Sequence, residues 1–338
     1  MPVQNIFKNK NILVTGGCGS IGTEIVRQLL RHDPKVVRIL ERSESAHFRL
    51  SQDIQSKKLR PLIGDIRDKR RVDRAMEDID IVFHAAAMKH VPLCEYNPFE
   101  AITVNIIGTQ NLVDAALEAG VSRFIGISTD KAVNPTSTMG ATKLLSEKII
   151  SNASVSSGGT TRFGCVRFGN VLASSGSVIP LFESQIRDGD TVTITSKAMT
   201  RFFMSIPDAV ALVLSAAHKA RLGEIFILKM NAMKIIDLAE VLVEELAPRY
   251  GKRPKNIRFK IIGLRPGEKE HEPLLTKEEA AHLSEEDGMY VLHNPIHKTY
   301  GAKIPSNTKE FSYLSETMPH MTKSEIRAML YSKKILLP

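Results

Sequence analysis

The first half of the chain repeats one rhythm. Short apolar runs at residues 11–15, 36–41, 60–65 and 81–87 alternate with stretches at 23–30, 46–55 and 72–76 whose apolar residues recur at helical spacing. Runs that are apolar on both alternating faces suit strands buried on both sides, and the amphipathic stretches between them suit the crossovers of a parallel sheet. The rhythm continues with a helical pattern at 101–119, a strand at 124–129, a helix at 141–150 and a strand at 162–168. The expected fold class is α/β, with a doubly wound parallel sheet. After Asn170 the alternation loosens into a strand at 191–195, a helix at 208–220, a strand at 223–229 that could rejoin the sheet, a helix at 237–246 and a strand at 257–262.

Thr276 to Glu279 and Thr322 to Glu325 each have the capping-box form that opens a helix. Between them, residues 285–320 show weak periodicity and read as loop-rich. Neither an internal repeat nor a low-complexity linker separates the parts. The expected division is therefore interleaved: 1–169 with 206–230 as one domain, and 170–205 with 231–338 as a smaller α/β domain.

Composition narrows the class. A chain of 338 residues with 43% hydrophobic and 25% charged positions is ordinary globular protein. It contains no run of about 18 apolar residues, so no membrane span is expected, and residues 1–10 lack the apolar core of a secretion signal. Three widely spaced cysteines, Cys18, Cys94 and Cys165, fit neither a disulfide framework nor a metal site. The expected setting is the cytoplasm, with no metal. The net charge of +9 comes without aromatic interleaving or a nucleic-acid motif, so no nucleic-acid partner is expected.

The chemistry begins at Gly16-Gly17-Cys18-Gly19-Ser20-Ile21-Gly22, between the first strand and the first helix. Glycines there let the backbone turn tightly and approach a pyrophosphate at the helix N-terminus. Gly16, Gly19, Ser20, Ile21 and Gly22 are thus candidate dinucleotide contacts on a Rossmann-type domain. Glu41 ends the second strand, where a carboxylate binds the adenosine ribose. It favours NAD, whereas Arg42 beside it could take the extra phosphate of NADP. Asp65, with Ile66, ends the third strand near the adenine, and Ala85, Ala86 and Ala87 are small enough for the cofactor to lie against the fourth.

The segment from Ser128 to Lys143 carries an acid and a base, Asp130 and Lys131, to a strand's carboxyl end, where open α/β sheets bind ligands. Thr129 precedes them. Met139 and Lys143 are four apart and share a helix face.

These motifs resemble the extended short-chain dehydrogenase/reductase superfamily. Residues 86–92, 128–132, 167–171, 199–202 and 265–269 narrow the resemblance to the UDP-N-acetylglucosamine 4,6-dehydratases of polysaccharide and capsule biosynthesis. The resemblance implies a homo-oligomer that binds a UDP-N-acetylhexosamine and a tightly held, recycled NAD or NADP. It implies oxidation at sugar C4, removal of water across C5–C6, and return of hydride to C6. Lys131 is then the C5 base, Asp130 the acid for the departing hydroxyl, and Lys143 the partner of the nicotinamide ribose. Position 139 departs from the usual tyrosine; a thioether is neither acid nor base, which leaves the C4 hydroxyl proton to a relay through Thr129, Asp130 or Lys131. Arg201 and Arg265 are candidates for the diphosphate because a guanidinium fork matches phosphate oxygens. Asn170, Glu268, Lys89 and His90 complete the candidate substrate contacts. Two alternatives share the fold: a UDP-sugar 4-epimerase, and a catalytically silent nucleotide-binding regulator.

Overall fold

The computed structural model describes residues 5–174, 176–306 and 311–336. The expected chain limits at 1 and 338, and residues 307–310 of the expected loop-rich stretch, lie outside the described residues.

The first half runs β1 (Asn11–Thr15), α1 (Ser20–Leu30), β2 (Val36–Glu41), α2 (Glu44–Asp53), β3 (Leu59–Ile63), α3 (Lys69–Met76) and β4 (Ile81–His84). It continues through α4 (Val91–Tyr96), α5 (Pro98–Ile102), α6 (Gly108–Glu118), β5 (Arg123–Thr129), α7 (Thr138–Ser156) and β6 (Arg162–Phe168). Local chemistry sets several starts. The Ser43, Asp68 and Ser137 side chains accept backbone N–H groups at the N-termini of α2, α3 and α7, replacing bonds the first helical turn lacks.

The second half holds β7 (Asn170–Val171), α8 (Val178–Asp188), β8 (Thr191–Ile194), β9 (Thr200–Met204), α9 (Ile206–Lys219) and β10 (Glu224–Leu228). Then come β11 (Ala232–Lys234), α10 (Ile235–Leu246), β12 (Arg258–Ile261), β13 (Pro273–Leu275), α11 (Lys277–Ala280), β14 (Leu283–Glu286), β15 (Met289–Leu292), α12 (Ile296–Thr299), β16 (Tyr313–Leu314) and α13 (Lys323–Ser332).

The main sheet has the order β14-β15-β10-β6-β5-β4-β1-β2-β3. Strands β3 to β10 in that order pair in parallel, which gives the 3-2-1-4-5-6 order of a Rossmann sheet with its switch point between β1 and β4. The α/β expectation and the return of the 223–229 strand to the sheet both hold.

Several boundaries differ. The expected loop-rich stretch contains β15 and α12, and the β14–β15 hairpin extends the main sheet antiparallel to β10. Asp287 (φ 48°) and Gly288 (φ 75°) make its turn; Asp-Gly is a strong short-range hairpin signal in this stretch of weak periodicity. The strand expected at 257–262 pairs with β8 in a separate two-stranded sheet. The single helix expected at 101–119 is three pieces, with a π turn at Thr103–Ile107 between α5 and α6. That turn aims Asn105 inward, where its Nδ2 donates to Met88 O and Thr142 Oγ1, both at 3.0 Å. Asn105 thereby ties the loop after β4 to α7.

Two cores follow. One underlies the main sheet, through Leu13, Phe83, Phe124, Phe163 and Phe226. The other joins α8, β8, α10 and α13 through Phe182, Val192, Leu242 and Leu330. Arg167 on β6 is fully buried. Its guanidinium bonds Glu147 on α7 and Glu279 on α11, all at 2.7–3.0 Å, so it fastens the later segment onto the sheet.

Candidate active site

The strand ends β1, β2, β4 and β5 open onto one edge of the sheet. The turn after β1 is pinned there, because Gly16 N donates to Leu40 O at 2.9 Å. Gly16 has φ 65°, and a Cβ on it would stand 2.7 Å from the Ala86 backbone, so the turn presses on the loop leaving β4. That loop holds Ala85, Ala86 and Ala87, which fall beyond β4 instead of on the strand as expected: Ala85 N and Ala86 N turn to Thr15 O and Thr15 Oγ1.

A Cβ at Gly22 would stand 2.2 Å from Gly16 O, whereas one at Gly19 would come no closer than 3.4 Å to any protein atom. Gly19 caps α1 without any side-chain bond to the helix's first N–H groups. The turn therefore brings the positive end of a helix to the sheet edge with no capping side chain over it, which fits a pyrophosphate. Ser20 and Ile21 begin that helix.

Glu41 closes β2, its Oε1 accepting from Arg42 N at 2.9 Å and Ser43 N at 3.2 Å. Asp65 is held by Arg67, whose side chain bonds both carboxylate oxygens; that bonding holds the Asp65 carboxyl below the usual range. Ile66 is buried against Gly108. These groups line the path expected of a dinucleotide from β1 to β3.

At the end of β5 the chain makes a single turn, Asp130–Ala132. Asp130 is fully buried. Its Oδ1 accepts from Thr129 Oγ1 at 2.8 Å and from Lys131 Nζ at 2.9 Å, while its buried Oδ2 has no hydrogen-bond partner. Lys131 Nζ also reaches Asn170 Oδ1 at 3.3 Å and Glu272 Oε1 at 3.7 Å. Burial pulls the Lys131 pKa down, but Asp130 and Glu272 more than offset it, leaving it above the ordinary value.

Helix α7 packs tightly on this turn: a Cβ at Gly140 would lie 2.3 Å from Lys131 O. The helix begins earlier than expected, at Thr138, so Met139 and Lys143 both lie on it, and both are buried. Met139 packs with Cys94 and Ala101. Lys143 Nζ donates to Ile127 O at 2.6 Å, and burial lowers its pKa.

The expected substrate residues separate into two groups. Arg201 is buried and donates to the carbonyls of Thr200, Lys269 and Glu270 at 2.7–2.8 Å. It clamps the 268–270 segment and faces protein. Arg265 is exposed, with its backbone N–H donating to Glu268 Oε2 at 3.3 Å. His90 caps α4 and lies against Gly176, and Lys89 precedes it.

Sequence reasoning carried the motif to Lys269 without giving that lysine a role, and missed Glu272 just beyond it. Lys269 Nζ donates to Val133 O at 2.7 Å, and Glu272 stands between Lys131 and Lys269. The signal was in the continuation of the motif, where two more carboxylates follow the lysine. Among the described residues no group of histidine, cysteine and carboxylate side chains could hold a metal ion, and no helix is long and apolar enough to cross a membrane.

A Rossmann sheet, a glycine turn at its switch point and a buried acid–base pair at the end of β5 define an extended short-chain dehydrogenase/reductase. Within that superfamily the chain belongs to the polysaccharide biosynthesis protein family, whose profile matches residues 12–294. An uncharacterized membrane protein of Methanocaldococcus jannaschii is 52% identical, covering 97% of both chains. The inverting UDP-N-acetylglucosamine 4,6-dehydratase of Campylobacter jejuni is 43% identical over 93% of this chain and 95% of its own. A Rickettsia akari protein named UDP-glucose 4-epimerase is 40% identical over 94% and 93%. The solved structure of Pen from Bacillus thuringiensis superposes with a TM-score of 0.92 at 43% identity, covering 98% of this chain and all of that one. The superfamily resemblance read from the motifs is borne out.

Proposed function

We propose that this chain is a UDP-N-acetylglucosamine 4,6-dehydratase that makes a UDP-4-keto-6-deoxy-N-acetylhexosamine for a surface polysaccharide or glycan. The observation that carries the reading is the bonded chain Thr129–Asp130–Lys131 beside a buried methionine. A tyrosine-dependent epimerisation has no use for that acid–base pair.

A nicotinamide dinucleotide, NAD in our reading because Glu41 ends β2, supplies hydride acceptance from C4 and its return to C6. Gly16, Gly19, Ser20, Ile21 and Gly22 would hold its pyrophosphate, Glu41 its adenosine ribose, Asp65 and Ile66 its adenine, and Lys143 its nicotinamide ribose. Thr129 passes the C4 hydroxyl proton to Asp130, which delivers it to the departing C6 hydroxyl. Lys131 takes the C5 proton, and a ketone at C4 makes that proton acidic. Arg265 and Glu268 meet the UDP moiety, while Lys89, His90 and Asn170 face the sugar.

A homo-oligomer is part of this reading. Tyr96 and Phe99, 87% and 71% exposed on α4 and α5, support it, because large apolar groups clustered on a surface suit a partner.

The test is incubation with UDP-N-acetylglucosamine in deuterated water, followed by NMR of the sugar. A 4-keto-6-deoxy product carrying deuterium at C5 is expected. The Rickettsia relative favours a second reading, a UDP-sugar 4-epimerase; a product changed only in C4 configuration would establish it and overturn the first.

A further inference from the structure

Lys131 can remove a carbon-bound proton only as a neutral amine, yet its surroundings favour the ammonium. Something must take that proton first. Two carboxylates face Lys131 Nζ: Asp130 Oδ1 at 2.9 Å and Glu272 Oε1 at 3.7 Å. Asp130 already accepts from Thr129, and the dehydratase reading engages it with the C4 and C6 hydroxyls. Glu272 is left.

We infer that Glu272 is a positioning residue that holds the Lys131 ammonium in the site and accepts its proton before the C5 step. The inference rests on the dehydratase reading. The Glu272 side chain is only 3% exposed, and its buried Oε2 receives no hydrogen bond. Its backbone N–H donates to Ser315 Oγ at 2.9 Å, which fixes the segment.

The charged groups facing Glu272 are Asp130 and Lys131 from the end of β5, Arg201 from β9, and Lys269 on its own segment. Lys269 Nζ is 3.6 Å away but is directed to Val133 O. His271 turns aside to Thr200 Oγ1. Burial raises the Glu272 carboxyl above the usual range, and Asp130 adds to it against the pull of the three cations. A buried carboxyl and a partly buried amine beside it can then share one proton as a neutral pair.

The proton count closes without a co-reactant. One Lys131 Nζ–H bond breaks and an O–H bond forms on Glu272. The freed lone pair takes the C5 proton as the C5–H electrons form the C5=C6 bond and expel the C6 oxygen, which takes its proton from Asp130. Reprotonation of C5 by Lys131 then lets the Glu272 proton return.

The test compares wild type with Glu272→Gln and Glu272→Asp, using UDP-N-acetylglucosamine and its 5-deuterated form. In Glu272→Gln, kcat should fall about 100-fold with KM changed less than roughly threefold. The deuterium isotope effect should rise, and the acidic limb of the kcat–pH profile should move to higher pH, because Lys131 must then lose its proton to solvent. Glu272→Asp should recover part of kcat with that limb displaced. A Glu272→Gln enzyme within threefold of wild-type kcat, or one whose loss leaves isotope effect and pH profile unchanged, overturns the inference. If Glu272→Gln gives no melting transition, Glu272→Asp decides: an unmoved acidic limb refutes the role. A wild-type enzyme that forms no dehydrated product refutes the dehydratase reading instead.

Discussion

Asp130 and Lys131 are neighbours in the chain and partners in space, with Lys131 Nζ 2.9 Å from Asp130 Oδ1. Adjacent residues on a strand point to opposite faces; the single turn that follows β5 brings these two to the same side. Lys131→Ala should therefore abolish the 4-keto-6-deoxy product and leave the dinucleotide bound, because the glycine turn lies on another strand. Product NMR and the nucleotide released on denaturing the purified variant check both halves. Full turnover by the variant would refute the assignment.

Met139 and Lys143 stand one turn apart on α7, and of their two side chains the lysine's makes the polar contact. Met139→Leu conserves volume and should cost less than about 1.5 kcal/mol, with turnover kept within roughly tenfold. Met139→Ala should destabilise by about 2–5 kcal/mol through the cavity it leaves. Denaturant midpoints and initial rates separate packing from chemistry. Loss of turnover in Met139→Leu with an unchanged midpoint would give the thioether a role that its chemistry does not provide.

Much of this was legible in the sequence because its signals are local. The strand–glycine–helix start, the alternation through β6 and the pairing of acid and base at Asp130 and Lys131 each depend on neighbouring residues. The parts that were not legible depend on distant ones. Glu272 joins the site only because Arg201 binds the later segment to β9, 68 residues upstream, and Lys269 binds it to the end of the turn after β5, 136 residues upstream. Arg201 looked like a phosphate ligand because a guanidinium fork suits backbone carbonyls as well as phosphate. The hairpin β14–β15 did carry a local signal, Asp287-Gly288, which the weak periodicity around it obscured.

Arg167 is the charge on which the later segment hangs. Replacing it with alanine would leave Glu147 and Glu279 facing each other without their shared cation, Glu147 deeply buried. Removing one partner of a buried ion pair costs about 3–5 kcal/mol. Arg167→Ala should lower the denaturant midpoint accordingly, and the double variant Arg167→Met, Glu147→Gln should recover part of the loss. A midpoint unchanged in the single variant would show that the cluster contributes nothing.

His84 gives stability a pH dependence. Burial, followed by Lys143, lowers its pKa to about 3, and its ring bonds Thr15 at 2.8 Å and Thr109 at 3.0 Å. In the unfolded chain it takes a proton near pH 6.5, so between those values the unfolded state binds the extra proton. The stabilisation is complete above pH 6.5 and is lost as pH falls toward 3, by up to about 1.4 kcal/mol per unit. Denaturant titrations at pH 7, 6 and 5 should show the decline, and His84→Gln should flatten it.

Gly19 and Gly22 separate what the fold requires from what the ligand requires. At Gly22 an added Cβ would stand 2.2 Å from Gly16 O, so Gly22→Ala must displace backbone and should lower both stability and dinucleotide affinity. At Gly19 the backbone is extended, with φ −77° and ψ 171°, a conformation any residue adopts, and the nearest protein atom to an added Cβ is 3.4 Å away. The protein itself does not need glycine there. A pyrophosphate on the α1 N-terminus would, because a side chain at that position fills the space it approaches through. Gly19→Val should therefore melt within about 1–2 °C of wild type, as surface changes usually do, while losing at least tenfold in affinity for NAD by calorimetry. Equal affinities in Gly19→Val and wild type would remove the glycine turn from the cofactor site.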